Sequence, residues 1–180
     1  THPTTRMCLR WIARNGAVQP GAGNNPLGRV LDYGCGSGIL AIGAAKFGAT
    51  DIDAVDIDPA AVESTAQNAQ ANGVQLSAGL PDKARGEYQT VLANILATPL
   101  RVLAVVPPSV WARMVAPSRF PLLLYAVNGV LPVAICFRQD MVLAGILERQ
   151  ADELKEAYAP WVRLEVADAE DGWILMTAQR

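Results

Sequence analysis

Apolar and polar positions along the chain follow two alternating rhythms: short apolar runs bounded by glycine, and longer stretches with helical spacing. Residues Thr4 to Asn15 read as a helix with Met7, Leu9, Trp11 and Ile12 apolar, capped by Thr4 or Thr5. A loop rich in Gly, Pro and Asn runs from Gly16 to Gly28. Arg29 to Tyr33 predicts a buried strand, and Gly38 to Phe47 a buried helix closed by Gly48. Ile52 to Ile57 predicts the next strand. Asp58 then caps a helix with Pro59 at its first position; Ala60 to Ala71 continue it and Asn72-Gly73 end it.

Farther along, Val74 to Ser77 reads as a third short strand and Thr90 to Asn94 as a fourth. Pro99 to Val106 predicts a helix, Met141 to Gly145 a strand, and Ile146 to Ala159 a helix. Val162 to Val166 and Trp173 to Thr177 predict two antiparallel strands joined across Asp168 to Gly172. Strands alternating with helices predict one α/β domain over residues 1–180, a mostly parallel sheet with helices on both faces. The apolar stretch Phe120 to Phe137 carries Pro121, Pro132 and Asn128-Gly129 and falls short of a membrane span. It reads either as a hairpin around Asn128-Gly129 or, equally, as a disordered or spurious insertion.

Composition narrows the function. Of 180 residues, 51% are hydrophobic and 18% charged, enough for a sizeable core and against disorder. The net charge is −2 and no Lys/Arg run marks a nucleic-acid footprint. Cys8, Cys35 and Cys136 are far apart with no CxxC spacing, so neither a disulfide framework nor a zinc site is expected, and a reducing, cytoplasmic setting fits. No metal site, no membrane and a monomer are expected. The chain does not begin with Met, which suggests a fragment lacking an N-terminal part.

The chemistry concentrates in Leu31-Asp32-Tyr33-Gly34-Cys35-Gly36-Ser37-Gly38, which joins a strand to a helix. Gly34, Gly36 and Gly38 let the backbone turn sharply and approach a ligand, with the free N–H groups of the helix start beside it. In an open α/β sheet this is the edge where ligands bind. A second strand ends in Asp56, placed to accept hydrogen bonds from both ribose hydroxyls of a nucleoside. The spacing separates cofactor classes. A GxGxxG loop suits the pyrophosphate of a nicotinamide cofactor, but here the third glycine falls one residue early and Ile39 takes its place. Asp32 before the loop would oppose a pyrophosphate and suits an ammonium group. S-adenosylmethionine carries an ammonium and a sulfonium and no phosphate, so the charge favours that cofactor.

The runs Thr1-His2-Pro3-Thr4-Thr5-Arg6, Leu31 to Leu40 (LDYGCGSGIL), Val55 to Pro59 (VDIDP), Ala93-Asn94-Ile95-Leu96-Ala97 and Ala144-Gly145-Ile146-Leu147 resemble the PrmA family. The likeness covers nearly all the chain except about residues 107–140. It implies a class I S-adenosylmethionine-dependent methyltransferase fold, Rossmann-like and seven-stranded. It implies N-methylation of a large-subunit ribosomal protein at its N-terminal amine and lysines, and a separate N-terminal recognition domain that this chain lacks. By matching position, the family's cofactor contacts fall on Thr5, Gly34, Asp56 and Asn94. Asn94 is also the candidate catalytic residue, its side-chain carbonyl accepting from the incoming amine. Thr5 reaches the cofactor only if its helix folds over the pocket. His2, the one histidine, is expected to be ordinary, as are Asp51 and Asp53 at the strand edge. Where the family has a short Gly-Gly turn, Ser118 to Asp140 form an atypical insertion, and Gln89 stands where an acid is common. Two other readings stand beside this one: a small-molecule methyltransferase on the same fold, and a truncated, non-catalytic cofactor binder with a damaged fifth strand.

Overall fold

The computed structural model describes residues 2–16, 25–97, 100, 122–124, 133–160 and 162–179. The elements in chain order are helix α1 (Pro3–Asn15), β1 (Arg29–Tyr33), α2 (Ile39–Lys46), β2 (Asp51–Val55), α3 (Pro59–Ala71), β3 (Ser77–Gly79) and β4 (Gly86–Asn94). They continue with β5 (Leu122–Leu124), β6 (Val133–Leu147), α4 (Ala151–Tyr158), β7 (Glu165–Glu170) and β8 (Trp173–Gln179). The predicted helix at Pro99 to Val106 lies almost wholly outside the described residues.

The sheet runs β3-β2-β1-β4-β6-β8-β7, with β5 paired to β6 off that path. Strands β1, β2, β3, β4 and β6 are mutually parallel; β8 runs antiparallel to them, and β7, antiparallel to β8, points the same way as the rest. Seven strands in this order bear out the expected mostly parallel sheet, and β5 adds a short eighth. Period-two alternation sends neighbouring side chains to opposite faces. Val30, Leu92, Val142 and Leu175 pack with Met7, Cys8 and Ile12 of α1 and Leu40, Ala41 and Ala44 of α2. Leu31, Val91, Met141 and Met176 pack on the other face with Leu154 and Tyr158 of α4.

Several boundaries differ from the sequence reading. Helix α1 is capped by His2, whose ring Nδ1 accepts from the Thr4 N–H at 3.3 Å, rather than by Thr4 or Thr5. The ring also stands edge-on to Trp173, with centroids 4.8 Å apart. The fifth sheet position is a continuous strand, with register shifts at Tyr88/Thr90 against β4 and at Leu143/Ile146 against β8. β6 begins at Val133, eight residues before the predicted start, and pairs with β4 from Gly86↔Ile135 to Asn94↔Ala144. The strand also runs on to Leu147, where helix was predicted, because Ile146 and Leu147 keep pairing with Ile174 and Trp173. Pairing of Leu122 with Ile135 and Leu124 with Val133 is symmetric about Asn128-Gly129, as a hairpin there requires; residues 125–132 are outside those described. The last hairpin is tighter than predicted. Glu170 pairs with Trp173 across Asp171 and Gly172, both at positive φ (53° and 75°), so β7 sits at Glu165–Glu170 instead of Val162–Val166. Among the described residues no helix is long and apolar enough to cross a membrane.

Candidate functional site

Because β1, β2 and β4 are parallel, their C-terminal ends open on one edge, and the residues singled out from the sequence gather there. After Tyr33 the chain turns back on itself. The Gly34 and Cys35 N–H groups both donate to the Val55 carbonyl, at 2.8 and 3.0 Å, pinning the loop to the end of β2. Gly34 has φ 76°, and a Cβ there would stand 2.5 Å from Ile95 Cγ2, so only glycine lets the loop lie this close to the chain leaving β4. A Cβ on Gly36 would meet no atom within 4 Å, so the loop opens onto space at that point.

Asp56 faces this loop. One carboxylate oxygen accepts from the Gly36 N–H at 2.9 Å and the other from the Asp58 N–H at 3.0 Å. Asp58 itself caps α3 through the Ala60 N–H at 2.9 Å, as its position before Pro59 predicted. Helix α3 holds the loop from outside: the Thr65 hydroxyl donates to the Gly36 carbonyl at 3.0 Å and the Asn68 amide to the Ser37 carbonyl at 2.8 Å. Both residues escaped the sequence reading, since helical Thr and Asn carry no signal of a distant partner. Cys35 is buried against that Thr65 hydroxyl, and burial pushes its thiol up to about 11, which fits packing rather than nucleophilic chemistry.

Asp32 lies beneath the loop rather than at its surface. It is 1% exposed, and one oxygen accepts from the Ala41 N–H at 3.0 Å. Helix α2 starts at Gly38 with no capping side chain of its own, so the carboxylate from β1 satisfies a donor of its first turn. Burial, with Asp56 nearby, outweighs that hydrogen bond and pushes the carboxyl up to about 7. The folded form therefore holds a proton over a range where the unfolded chain, near pH 4, has lost it. Stability falls as pH rises through that window and levels off above about 7. We expect Asp32→Asn, whose amide oxygen can still accept from Ala41, to gain stability relative to the parent as pH rises from about 4 to about 7. Urea denaturation at several pH values measures this; a pH-independent difference would mean the carboxyl titrates normally.

Helix α1 does fold over the edge. The Asn94 side-chain N–H₂ donates to the Thr5 hydroxyl at 3.3 Å, joining two residues 89 positions apart. With the amide nitrogen so engaged, the side-chain carbonyl of Asn94 is its remaining polar group, one residue before the Ile95 that meets Gly34. Gly145 on β6 makes room for this corner: at φ 81°, a Cβ there would stand 2.4 Å from the Ile95 carbonyl oxygen. A lone glycine inside an apolar strand run was the available signal. Asp51 is exposed as expected, but Asp53 is a correction. It is 7% exposed, because Arg29 donates to it at 2.8 Å and the Tyr88 hydroxyl at 2.7 Å, tying β2 to β4. Gln89, at the departure from the family pattern, makes a local contact, accepting from the Arg29 N–H at 2.8 Å. Among the described residues no cluster of His, Cys, Asp and Glu could hold a metal ion.

Comparison with known proteins finds the same likeness. The family model described as ribosomal protein L11 methyltransferase (PrmA) matches residues 1–115. A ribosomal protein L11 methyltransferase of Polaromonas sp. strain JS666 is 64% identical over 179 residues, 99% of this chain and 50% of the relative. One from Bordetella parapertussis is 46% identical over 177 residues, 98% of this chain and 47% of the relative. Among solved structures, a ribosomal protein L11 methylase from Lactobacillus delbrueckii subsp. bulgaricus aligns with TM-score 0.68 at 26% identity, covering 100% of this chain and 80% of that one. A magnesium protoporphyrin IX methyltransferase from Synechocystis with bound SAM aligns with TM-score 0.56 at 17% identity, covering 98% of this chain and 78% of that one. These alignments give the sheet its class, the Rossmann-like fold of class I methyltransferases. The chain spans about half the length of the curated relatives it matches.

Proposed function

The chain belongs to the ribosomal protein L11 methyltransferase family, and from that premise we propose that it is the catalytic unit of an S-adenosylmethionine-dependent protein N-methyltransferase. Its substrate is a large-subunit ribosomal protein, methylated at lysine and N-terminal amines in the cytoplasm. The observation that carries this reading is the Asn94–Thr5 pair set beside the Gly34 loop and Asp56 on one sheet edge.

The residues present fit the cofactor. The loop opens to space at Gly36, Asp56 brings a carboxylate to it, and Asp32 lies under it. Between Leu31 and Gly38 there is no Lys or Arg to meet a phosphate. A carboxylate-lined, glycine-walled edge suits a cationic, amino-acid-bearing nucleoside better than a dinucleotide. In this reading Gly34, Gly36 and Gly38 let the backbone approach the ligand, and Asp56 takes the ribose hydroxyls. Thr5 and Asn94 touch the reacting end, and Asp32 lies beneath the ammonium, whose positive charge favours the ionised carboxylate that burial alone disfavours.

When bound, S-adenosylmethionine supplies a methyl group on a sulfonium, ready for in-line displacement. The chain's own part is positioning. A lysine amine is protonated near neutral pH and gives that proton up to solvent before its lone pair attacks. The Asn94 carbonyl accepts an N–H of the neutral amine and aims that lone pair. The Thr5 hydroxyl, bridged to Asn94, fixes the amide's rotation. Holding nucleophile and methyl carbon in line is worth up to about 7–11 kcal/mol.

Two measurements on the complete protein test this. Calorimetric titration should show binding of S-adenosylmethionine and none of NAD; the reverse preference would defeat the cofactor assignment. Transfer of a labelled methyl group should mark the ribosomal protein. Transfer to small amines alone would favour a small-molecule methyltransferase.

A further inference from the structure

One charged cluster lies outside the crevice, where α1 crosses the β7–β8 turn. Arg6 and Arg10, four residues apart, share a face of α1. Both reach the same carboxylate. Arg6 donates from Nε, at 2.7 Å, and from Nη2 to Oε1 of Glu170, while Arg10 Nη1 donates to Oε2 at 2.7 Å. Arg10 also donates from Nε and Nη2 to one oxygen of Asp168, at 3.1 and 2.9 Å, and Asp171 stands 3.5 Å from Arg6. On the same side, the His2 ring meets Trp173, the first residue after that turn. The helix is therefore held twice. Its apolar stripe of Met7, Cys8 and Ile12 fixes its height above the sheet. The arginine–carboxylate clamp fixes its rotation and its slide along the sheet, which apolar packing alone leaves soft. Thr5 is next to Arg6 on the clamped turn, and its hydroxyl meets Asn94.

We propose that Glu170, assisted by Asp168, is a positioning residue for methyl transfer: by gripping Arg6 and Arg10 it sets the Thr5 hydroxyl against Asn94. This rests on the methyltransferase reading of the site. Glu170 touches no reacting atom and acts only through α1. The clamp residues keep between a fifth and two fifths of their side-chain surface in solvent, so salt weakens their grip.

A double-mutant cycle in the complete protein decides it. Glu170→Gln should lower kcat about tenfold in the parent, and by less than about twofold in a Thr5→Val background where no hydroxyl is left to place. Any loss of melting temperature should be the same in both backgrounds. The same cycle is read on the dissociation constant for S-adenosylmethionine. Absence of turnover in the parent would refute the protein-methylation reading, while the coupling in cofactor affinity would still judge the clamp. Equal effects of Glu170→Gln in both backgrounds, on rate and on affinity, would overturn the positioning role and leave Glu170 as a stabilising ion pair.

Discussion

Asn94→Ala is expected to lower kcat for methyl transfer by about a hundredfold or more, since it removes the acceptor that aims the amine and the partner that fixes Thr5. The fold should survive. Asn94 is half-buried at the last register position of β4, its backbone pairs with Ala144 whatever the side chain, and the lost hydrogen bond is worth about 1 kcal/mol. Affinity for S-adenosylmethionine should weaken less than turnover, because Asp56 and the glycine loop remain. Asn94→Asp is the informative companion. It keeps an acceptor but cannot donate to the Thr5 hydroxyl while ionised, so its rate should fall between the two. Activity of Asn94→Ala equal to the parent's would remove this residue from the reaction.

The second large effect is expected away from any ligand, at Gly145. Its φ of 81° disfavours every residue with a Cβ, and the added atom would press to 2.4 Å from the Ile95 oxygen and 2.7 Å from its carbonyl carbon. Backbone cannot swing aside as a side chain can. Gly145→Ala should therefore cost about 2–4 kcal/mol of stability, from strain plus overpacking. Whatever relief occurs must move Ile95, and with it Asn94 one residue before. Turnover should fall below what the folded fraction alone explains. Urea unfolding and kcat measured on the same samples separate the two losses. Gly36→Ala is the control: it too has positive φ (54°), but its Cβ meets no atom within 4 Å, so it should cost about 1 kcal/mol.

Much of this geometry was legible in the residues. The glycine loop, Asp56 after the second strand and Asp58-Pro59 at a helix start each pair a residue type with a backbone demand that few others meet. The sequence also placed Thr5 and Asn94 in one site only through family likeness, since nothing local predicts a contact across 89 positions. What stayed hidden was long-range. Asp53 looked like a surface residue because alternation cannot reveal that Arg29 and Tyr88 supply the donors that let a carboxylate be buried. The length of β6 was concealed because Ile146 and Leu147 suit a helix as well as a strand, and only pairing with β8 decides. Nothing local in the sequence links Arg6 and Arg10 to Asp168 and Glu170, about 160 positions away, until the β7–β8 turn is placed across α1.

The early residues of β6, from Val133, run beside Gly86 at the start of β4, eight strand positions before Asn94 and so about 25 Å from it. Extra length in this chain is thus added at the rim opposite its chemistry. That outer segment can therefore be lengthened, trimmed or exchanged without touching the rim that carries Gly34, Asp56 and Asn94, which makes it the place to graft a tag or a sensor.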